Sequence, residues 1–461
     1  MSQLTWANLL CHERLADLHG KSETMGTGIG RTEIERDYDR ILFATPTRRL
    51  ADKTQVFPLE ENDSVRTRLT HSHEVSNLAR SIGVRLAFDN AEKVFGRDHE
   101  SLRVTRTVPS LLAAVGLAHD LGNPPFGHQG EKAIQAWFSK NFKKDQQHED
   151  FMQFDGNAQT LRLLTQLQVL NDRFGFNLTC GTLAALLKYP SIYGTGCKFG
   201  FKKYGVFASE ASTVEQVWQQ TGLGPGVRHP LAYVMEACDD IAYSVIDAED
   251  TVKKGYASFY DLMDHLESEA GHDHTVRDVI DKSCEKNEEF KKQKLSSRQL
   301  NDISMQMFRV KAIAVMIEAA TDTFVNNVED MMDGSIAPGF ELIENSTSAA
   351  LCKATKRFDR RFGFQHRDVL KLELRGSNYI DEMMDYLWAA IKVEGENCHP
   401  FQRFVFNDIS ENYRLVYGRS ANSCYDKCQL LCDAVSGMTE KYLIRKCEEY
   451  AALKKCYPLN Q

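Results

Sequence analysis

Apolar residues in this chain return every three or four positions far more often than every second one. Val75, Leu78, Ile82 and Leu86 form one such stripe, and Leu112, Val115, Gly116 and His119 form another. Longer helical patterns cover residues 157–169, 299–331 and 381–393. Alternating runs are scarce, the best being Val369 to Arg375, and no strands are interleaved with helices as a doubly wound sheet requires. The pattern predicts a mainly α fold with a helical C-terminal region and minor β structure. Gly-rich or charged connections are expected at 20–31, 139–150, 189–205 and 272–297. The last, rich in Lys and Glu, is read as a solvated helix because apolar residues remain interspersed. A soft boundary near residue 275 separates residues 1–275, which hold the candidate chemistry, from residues 276–461. A single intertwined helical domain fits the pattern as well.

With 461 residues, 42 % hydrophobic and 26 % charged, the chain can bury a sizeable core and shows no sign of global disorder. With a formal net charge of -8, a general affinity for nucleic acid is not the default, so any phosphate site must be local. No apolar run reaches the roughly 20 residues that span a bilayer, and the first ten residues lack the order of a secretion signal. A cytoplasmic protein without membrane partners is expected. The 12 cysteines are scattered, which favours reduced thiols. Cys424, Cys428 and Cys432 share one helical face beside Leu431 and Val435, where cysteine acts as a small apolar residue.

The densest chemistry lies in residues 119–131, HDLGNPPFGHQGE. His119 and Asp120 end an apolar helix that Gly-Asn-Pro-Pro cannot continue. A carboxylate is disfavoured at a helix C-terminus unless a cation compensates it, and a metal ion is such a cation. His128 and Glu131 are three apart and share a face if a helix starts near them. His71 heads an amphipathic helix on its buried side, either as a ligand or as a core residue, whereas His73 is turned away toward the surface. Asp239, Tyr243 and Asp247 stand at i, i+4 and i+8 of a segment crowded by Val234, Ala237, Ile241, Val245 and Ala248, so these polar groups need partners. Gly26 to Gly30 resembles a phosphate loop only superficially, lacking both the preceding strand and the Gly-Lys-Ser/Thr ending, and is read as a flexible loop. No Ser/His/Asp triad or local nucleophilic cysteine signature is present.

In order along the chain, His71, His119-Asp120 and Asp239 read H…HD…D, the ligand pattern that defines the HD superfamily of metal-dependent phosphohydrolases. The segments KTQVFP (53–58), RTRLTHS (66–72), HDLGNPPFGHQGE, FDGNAQ (154–159), LKY (187–189), MEACDDIAY (235–243) and SGMT (436–439) then resemble the successive motifs of bacterial deoxyguanosine triphosphate triphosphohydrolases (dGTPases). The resemblance runs over roughly residues 30 to 440.

That resemblance implies a helical HD fold whose metal and catalytic core falls in residues 1–275, with residues 276–461 contributing to a base pocket and to oligomer contacts. His71, His119, Asp120 and Asp239 would hold one divalent ion per subunit, Mn or Mg first and Fe or Zn as alternatives. Glu131 would orient His128 for proton transfer during attack at the α-phosphorus, so that dGTP yields deoxyguanosine and intact tripolyphosphate. Arg68, Lys188 and Lys203 would neutralise the triphosphate, with Tyr189 beside them and Asn157 donating to a phosphate oxygen. Tyr243 would pack against deoxyribose, and Gln55 and Asp247 would bind the 3′-hydroxyl. Val56, Glu373 and Arg403 match positions near the base. The segment from Glu394 to His399 departs from the family where a further base-contacting arginine is expected, which would relax base preference. A broad dNTP triphosphohydrolase is thus the near alternative. A nucleotide-sensing or nucleic-acid-sensing HD protein with a structural metal is the distant one, disfavoured by the intact His128 and Glu131. The resemblance also implies homo-oligomers, hexamers among them, and admits single-stranded DNA as a regulator.

Overall fold

The computed structural model describes residues 4–21, 30–59, 62, 64–142, 149–168, 173–393, 398–421 and 423–456. Most of the Gly-rich loop at 26–30 and residues 394–397 ahead of His399 lie outside them. Among the described residues the architecture is mainly α. The expected minor β structure is reduced to isolated bridges: Arg14 with Thr179, Thr54 with Thr67, and Ile192 with Val206.

Helix α1 (Arg68–Val84) starts where the Thr67 side chain caps the backbone N–H of Thr70. Its predicted stripe is the inner face: Val75, Leu78 and Ile82 are buried, and Leu86 continues it in the wide turn that follows. Helix α2 (Val104–Ala118) lies across α1 and is buried almost all round. Val108, Leu111, Leu112 and Val115 are fully buried there, each contributing about 1.5–3 kcal/mol relative to an exposed side chain. The two helices touch backbone to backbone. A Cβ on Gly116 would come 2.8 Å from Ser76 Cα, so only glycine lets the end of α2 settle against the middle of α1.

Helix α3 (Gly127–Asn141) follows the Gly-Asn-Pro-Pro break, and helix α4 (Gly156–Arg162) is capped by Asp155. Helix α5 (Pro230–Lys253), the central rod, is buried along nearly its whole length. His229 caps it through Nδ1, which accepts from the Leu231 N–H at 3.1 Å, and Pro230 pre-sets its first turn. Against α5 pack α6 (Ser297–Asp333) and α7 (Ala349–Phe358), the latter running on into a wide turn, Asp359–Phe364. Helix α8 (Arg367–Ile391) covers α3, and α9 (Pro400–Asp408) and α10 (Cys424–Ser436) close the C-terminal side.

The charged stretch after residue 272 is a helix, His274–Lys291, as its interspersed apolar residues predict. Val369 to Arg375, the best strand candidate, is helical instead. It opens α8, whose inner face is Val369, Gly376, Ile380, Met383, Met384, Leu387 and Ile391, while Leu370 and Leu374 are exposed. Seven alternating residues were overruled by a 16-residue continuation at helical spacing, Gly376 to Ile391. Of the three cysteines predicted to share a face, Cys428 and Cys432 are buried in α10 and Cys424 is exposed at its first turn. One continuous apolar core runs from Trp6 to Tyr450. No helix among the described residues is long and apolar enough to cross a membrane.

Candidate active site

The end of α2, the start of α1 and the middle of α5 meet at one point. His119 is the C-terminal cap of α2, and its Nδ1 donates to Gly116 O at 2.7 Å, which turns Nε2 toward the cluster. That Nε2 is buried, has no hydrogen-bond partner, and lies 3.5 Å from both Asp120 Oδ1 and Asp239 Oδ1. His71, on the first turn of α1, places Nε2 3.2 Å from the same Asp239 oxygen. The ligand atoms of His71, His119 and Asp120 all lie within 4.8 Å of one another. Asp240 turns away to pair with Lys356 at 2.6 Å, so of the two neighbouring carboxylates it is Asp239 that meets the imidazoles.

The electrostatics of this cluster fit a missing positive charge. Burial opposes a charged His119, but Asp120 and Asp239 outweigh it and raise the imidazole to about 9. Burial likewise opposes the two carboxylates. Arg68 and the histidines nonetheless lower Asp120 to about 2, and the same histidines hold Asp239 well below the usual range. Two imidazoles and two carboxylates converge on one buried point, a set suited to one divalent cation.

Beside the cluster the chain doubles back. Phe126 and Gly127 both adopt left-handed backbone (φ 62° and 52°), and Arg68 Nη2 would lie 2.7 Å from any Cβ on Gly127. This reversal starts α3 with His128 and Glu131 on its first turn. His128 Nδ1 lies 3.1 Å from Glu131 Oε2, while Glu131 Oε1 accepts from the Gly156 N–H at 2.8 Å. The histidine side chain is 75 % exposed and the glutamate 7 %, so a buried, anchored carboxylate holds an imidazole that reaches into the cleft. The Glu131 hydrogen bond raises the His128 pKa. Burial pushes Glu131 up, but His128 and Lys203 more than reverse that and lower it.

Both groups open onto one cleft of about 450 Å³. Its wall carries Gln55, Val56, Arg68, His119, Asp120, His128, Glu131, Asn157, Lys188, Tyr189, Lys203, Asp239, Tyr243 and Glu373, all singled out from the sequence. Its cations are held by carboxylates: Arg68 by Asp120, Lys188 by Glu236 at 3.3 Å, Lys203 by Asp155. Asn157 is fixed by the same Asp155 at 2.7 Å. His71 and Asp247 are buried behind the wall, Asp247 one turn beyond Tyr243. Arg403 is the exception: it is exposed on α9 and does not reach the cleft. From Glu373 to the end of α8 the chain climbs roughly 27 Å at 1.5 Å per residue, which carries α9 away. His73 is exposed, as its helical phase predicts.

Sequence reading missed Lys356, Phe364, Phe126 and Gln129 on the same wall. Phe364 is 5.5 Å, ring to ring, from Tyr243. Nothing local marks Lys356 or Phe364, because they meet α5 from more than 100 residues away; the left-handed turn at Phe126 and Gly127 was the one available signal.

The HD domain family matches residues 68–166, the span from α1 through α4 that supplies His71, His119, Asp120, His128 and Glu131. Over the whole chain, a "deoxyguanosinetriphosphate triphosphohydrolase-like protein" of Listeria monocytogenes is 32 % identical, covering 95 % of this chain and 97 % of the relative. A protein of the same description from Pseudomonas aeruginosa is 32 % identical over 97 % and 98 %. The deoxyguanosinetriphosphate triphosphohydrolase of Serratia proteamaculans is 30 % identical over 89 % and 92 %.

Proposed function

This chain belongs to the deoxyguanosinetriphosphate triphosphohydrolase-like family of HD-domain phosphohydrolases, and we propose that it hydrolyses dGTP to deoxyguanosine and tripolyphosphate. The observation that carries the reading is the adjacency of two sets of groups on one cleft wall. His119 Nε2 stands without a partner between Asp120 and Asp239, and the His128–Glu131 pair lies beside them. A protein that kept a metal for structure alone has no use for that second pair.

His71, His119, Asp120 and Asp239 are the residues to hold a divalent ion, with Mn or Mg first and Fe or Zn as alternatives. Bound there, it would supply Lewis acidity toward a phosphate oxygen and offset charge at the reacting centre. The chain's own residues do the rest. Glu131, pinned by the Gly156 N–H, fixes the His128 ring so that its far nitrogen manages the proton of attacking water or leaving oxygen. Water adds at the α-phosphorus, the bond to the nucleoside oxygen breaks, and that oxygen leaves with a proton as deoxyguanosine. Arg68, Lys188 and Lys203 exchange their carboxylate partners for phosphate oxygens, with Asn157 as an uncharged donor and Tyr189 packing beside Lys188. At the other end Tyr243 and Phe364 bound the sugar. Asp247 Oδ2, a buried acceptor without a donor, suits the proton of its 3′-hydroxyl, and the Gln55 amide N–H suits the hydroxyl oxygen.

Incubating purified protein with dGTP and Mn²⁺ should release tripolyphosphate; dGDP or dGMP with free phosphate would overturn the mechanism. One observation favours a broader dNTP range. Of the residues assigned to the base, Val56 and Glu373 reach the wall and Arg403 does not. Competition among the four dNTPs separates strict from relaxed preference.

A further inference from the structure

Asp359, at the head of the wide turn after α7, is fully buried, and no hydrogen-bond donor reaches either of its carboxyl oxygens. Other buried carboxylates in this protein meet a cation or a hydrogen-bond donor: Asp37 meets Arg14 at 2.8 Å, Asp250 meets Arg66 at 2.5 Å, Asp433 meets Arg162 at 2.8 Å, and Asp150 accepts from the Tyr425 hydroxyl at 2.6 Å and the Ala208 N–H at 2.8 Å. The Lys356–Asp240 pair at 2.6 Å on one side and the approach of Gly363 to Thr251 on the other run the turn alongside α5 and set Asp359 level with another acid instead, Asp247, whose Oδ2 is equally without a partner. The turn has no slack with which to retreat. A Cβ on Gly363 would come 2.7 Å from Thr251 Oγ1 of α5, a hydroxyl that is itself buried and unpartnered.

Two carboxylates cannot both stay ionised in such a place. Burial, then Asp247 and Asp250, push the Asp359 carboxyl well above its usual range, and Lys356 only partly opposes them while tied to Asp240. Asp247 is also raised, by burial and by Asp250, Asp239 and Glu74, but Arg66 pulls it back. Tyr243, on the cleft wall, feels both acids. The group with two orphaned oxygens and no arginine is the one to carry a proton.

We infer that Asp359 is a positioning residue for sugar recognition: as a neutral acid its O–H donates to Asp247, which stays ionised and turns its other oxygen toward the deoxyribose hydroxyl. This rests on the assignment of Asp247 to the 3′-hydroxyl of dGTP. It extends that assignment to a residue on a different element, outside the HD match and absent from the cleft wall.

The test compares equilibrium binding of dGTP and 2′,3′-dideoxy-GTP, with Mn²⁺, to protein carrying His128→Ala to stop hydrolysis, alone and combined with Asp359→Leu or Asp359→Asn. The protein with Asp359 should prefer dGTP. Leucine removes the donor and excludes water, so that preference should fall roughly tenfold, the size of one hydrogen bond to a charged group, through weaker dGTP binding alone. Asparagine still offers N–H groups and should keep the preference within about twofold of the Asp359 protein. A leucine variant that keeps the preference, or an asparagine variant that loses it, overturns the inference while leaving the substrate assignment intact. Should the leucine variant fail to fold, the asparagine arm still decides. Binding of neither nucleotide to the Asp359 protein overturns the substrate assignment, and this inference with it.

Discussion

His128 gains its role from what its neighbours cannot do. Glu131 is buried, held by the Gly156 N–H, and approached to 3.9 Å by Lys203 Nζ, so from the cleft wall it orients a ring while His128 is the more exposed of the two. Replacing His128 by alanine removes a mobile proton carrier and leaves the four-residue cluster untouched. Its kcat should fall at least 10²-fold, the usual worth of a general acid or base, while calorimetric Mn²⁺ and dGTP affinities change little. Full activity in that variant would assign the proton chemistry elsewhere. The cluster makes its own prediction. Because Asp239 lies close to both imidazoles, Mn²⁺ at about 100 times its dissociation constant should stabilise the wild-type protein by about 2.7 kcal/mol. Asp239→Asn, which keeps the shape and drops the charge, should lose most of that gain in a thermal melt. An undiminished gain would place the ion elsewhere. Asp120 and the His128–Glu131 pair carried local signals, an Asp at a helix C-terminus and a His and a Glu three apart, while His71 and the full ligand set were legible only through the resemblance to dGTPases. Lys356 was not, since its partner Asp240 lies 116 positions away.

The helices show where periodicity suffices and where it does not. The pattern over 157–169 was helical, yet the regular helix stops at Arg162 and the chain continues as a wide turn, Leu163–Leu167; apolar spacing does not distinguish the two. The start of α5 was hidden for a different reason, because a histidine rarely caps a helix. His229 accepts from Leu231 through Nδ1 and donates through Nε2 to Leu9 O at 3.1 Å, so the fold needs the ring neutral, and burial lowers its pKa to about 4. The unfolded chain binds a proton near 6.5, the native chain not until about 4, so stability is lost as pH falls between these values. At pH 5 this single group should account for about 1–2 kcal/mol of that loss. Asparagine can cap but cannot titrate. His229→Asn should therefore be less stable at pH 7 yet lose less on acidification, visible as a shallower slope of melting temperature against pH. An identical slope would show that another group sets acid sensitivity.

At the scale of the whole molecule, what no pattern reveals is which distant elements lock together. Arg162, at the end of α4, is the clearest case. It grips Asp433 of α10 with two nitrogens, at 2.9 Å and 2.8 Å, and reaches Glu210 with a third at 2.7 Å, all three side chains being nearly inaccessible to water. The same α4 holds the metal cluster in register, since Thr160 Oγ1 accepts from the Gly122 N–H at 2.9 Å and donates to His119 O at 3.2 Å. In sequence these are single charges in unrelated segments, indistinguishable from solvated ones. Arg162→Met would strand two buried carboxylates. It should cost about 3–5 kcal/mol in urea unfolding, far above the effect of a surface pair. The cost comes from unpaired charge more than from lost attraction, so adding Glu210→Gln and Asp433→Asn to the same chain should recover a large part of it. Because Arg162 does not touch the cleft, kcat of the folded fraction at 25 °C should stay within about threefold of wild type while the unfolding midpoint falls. A loss below about 1 kcal/mol would mean that water, not Arg162, satisfies the two acids, and that α4 is held by its apolar face alone.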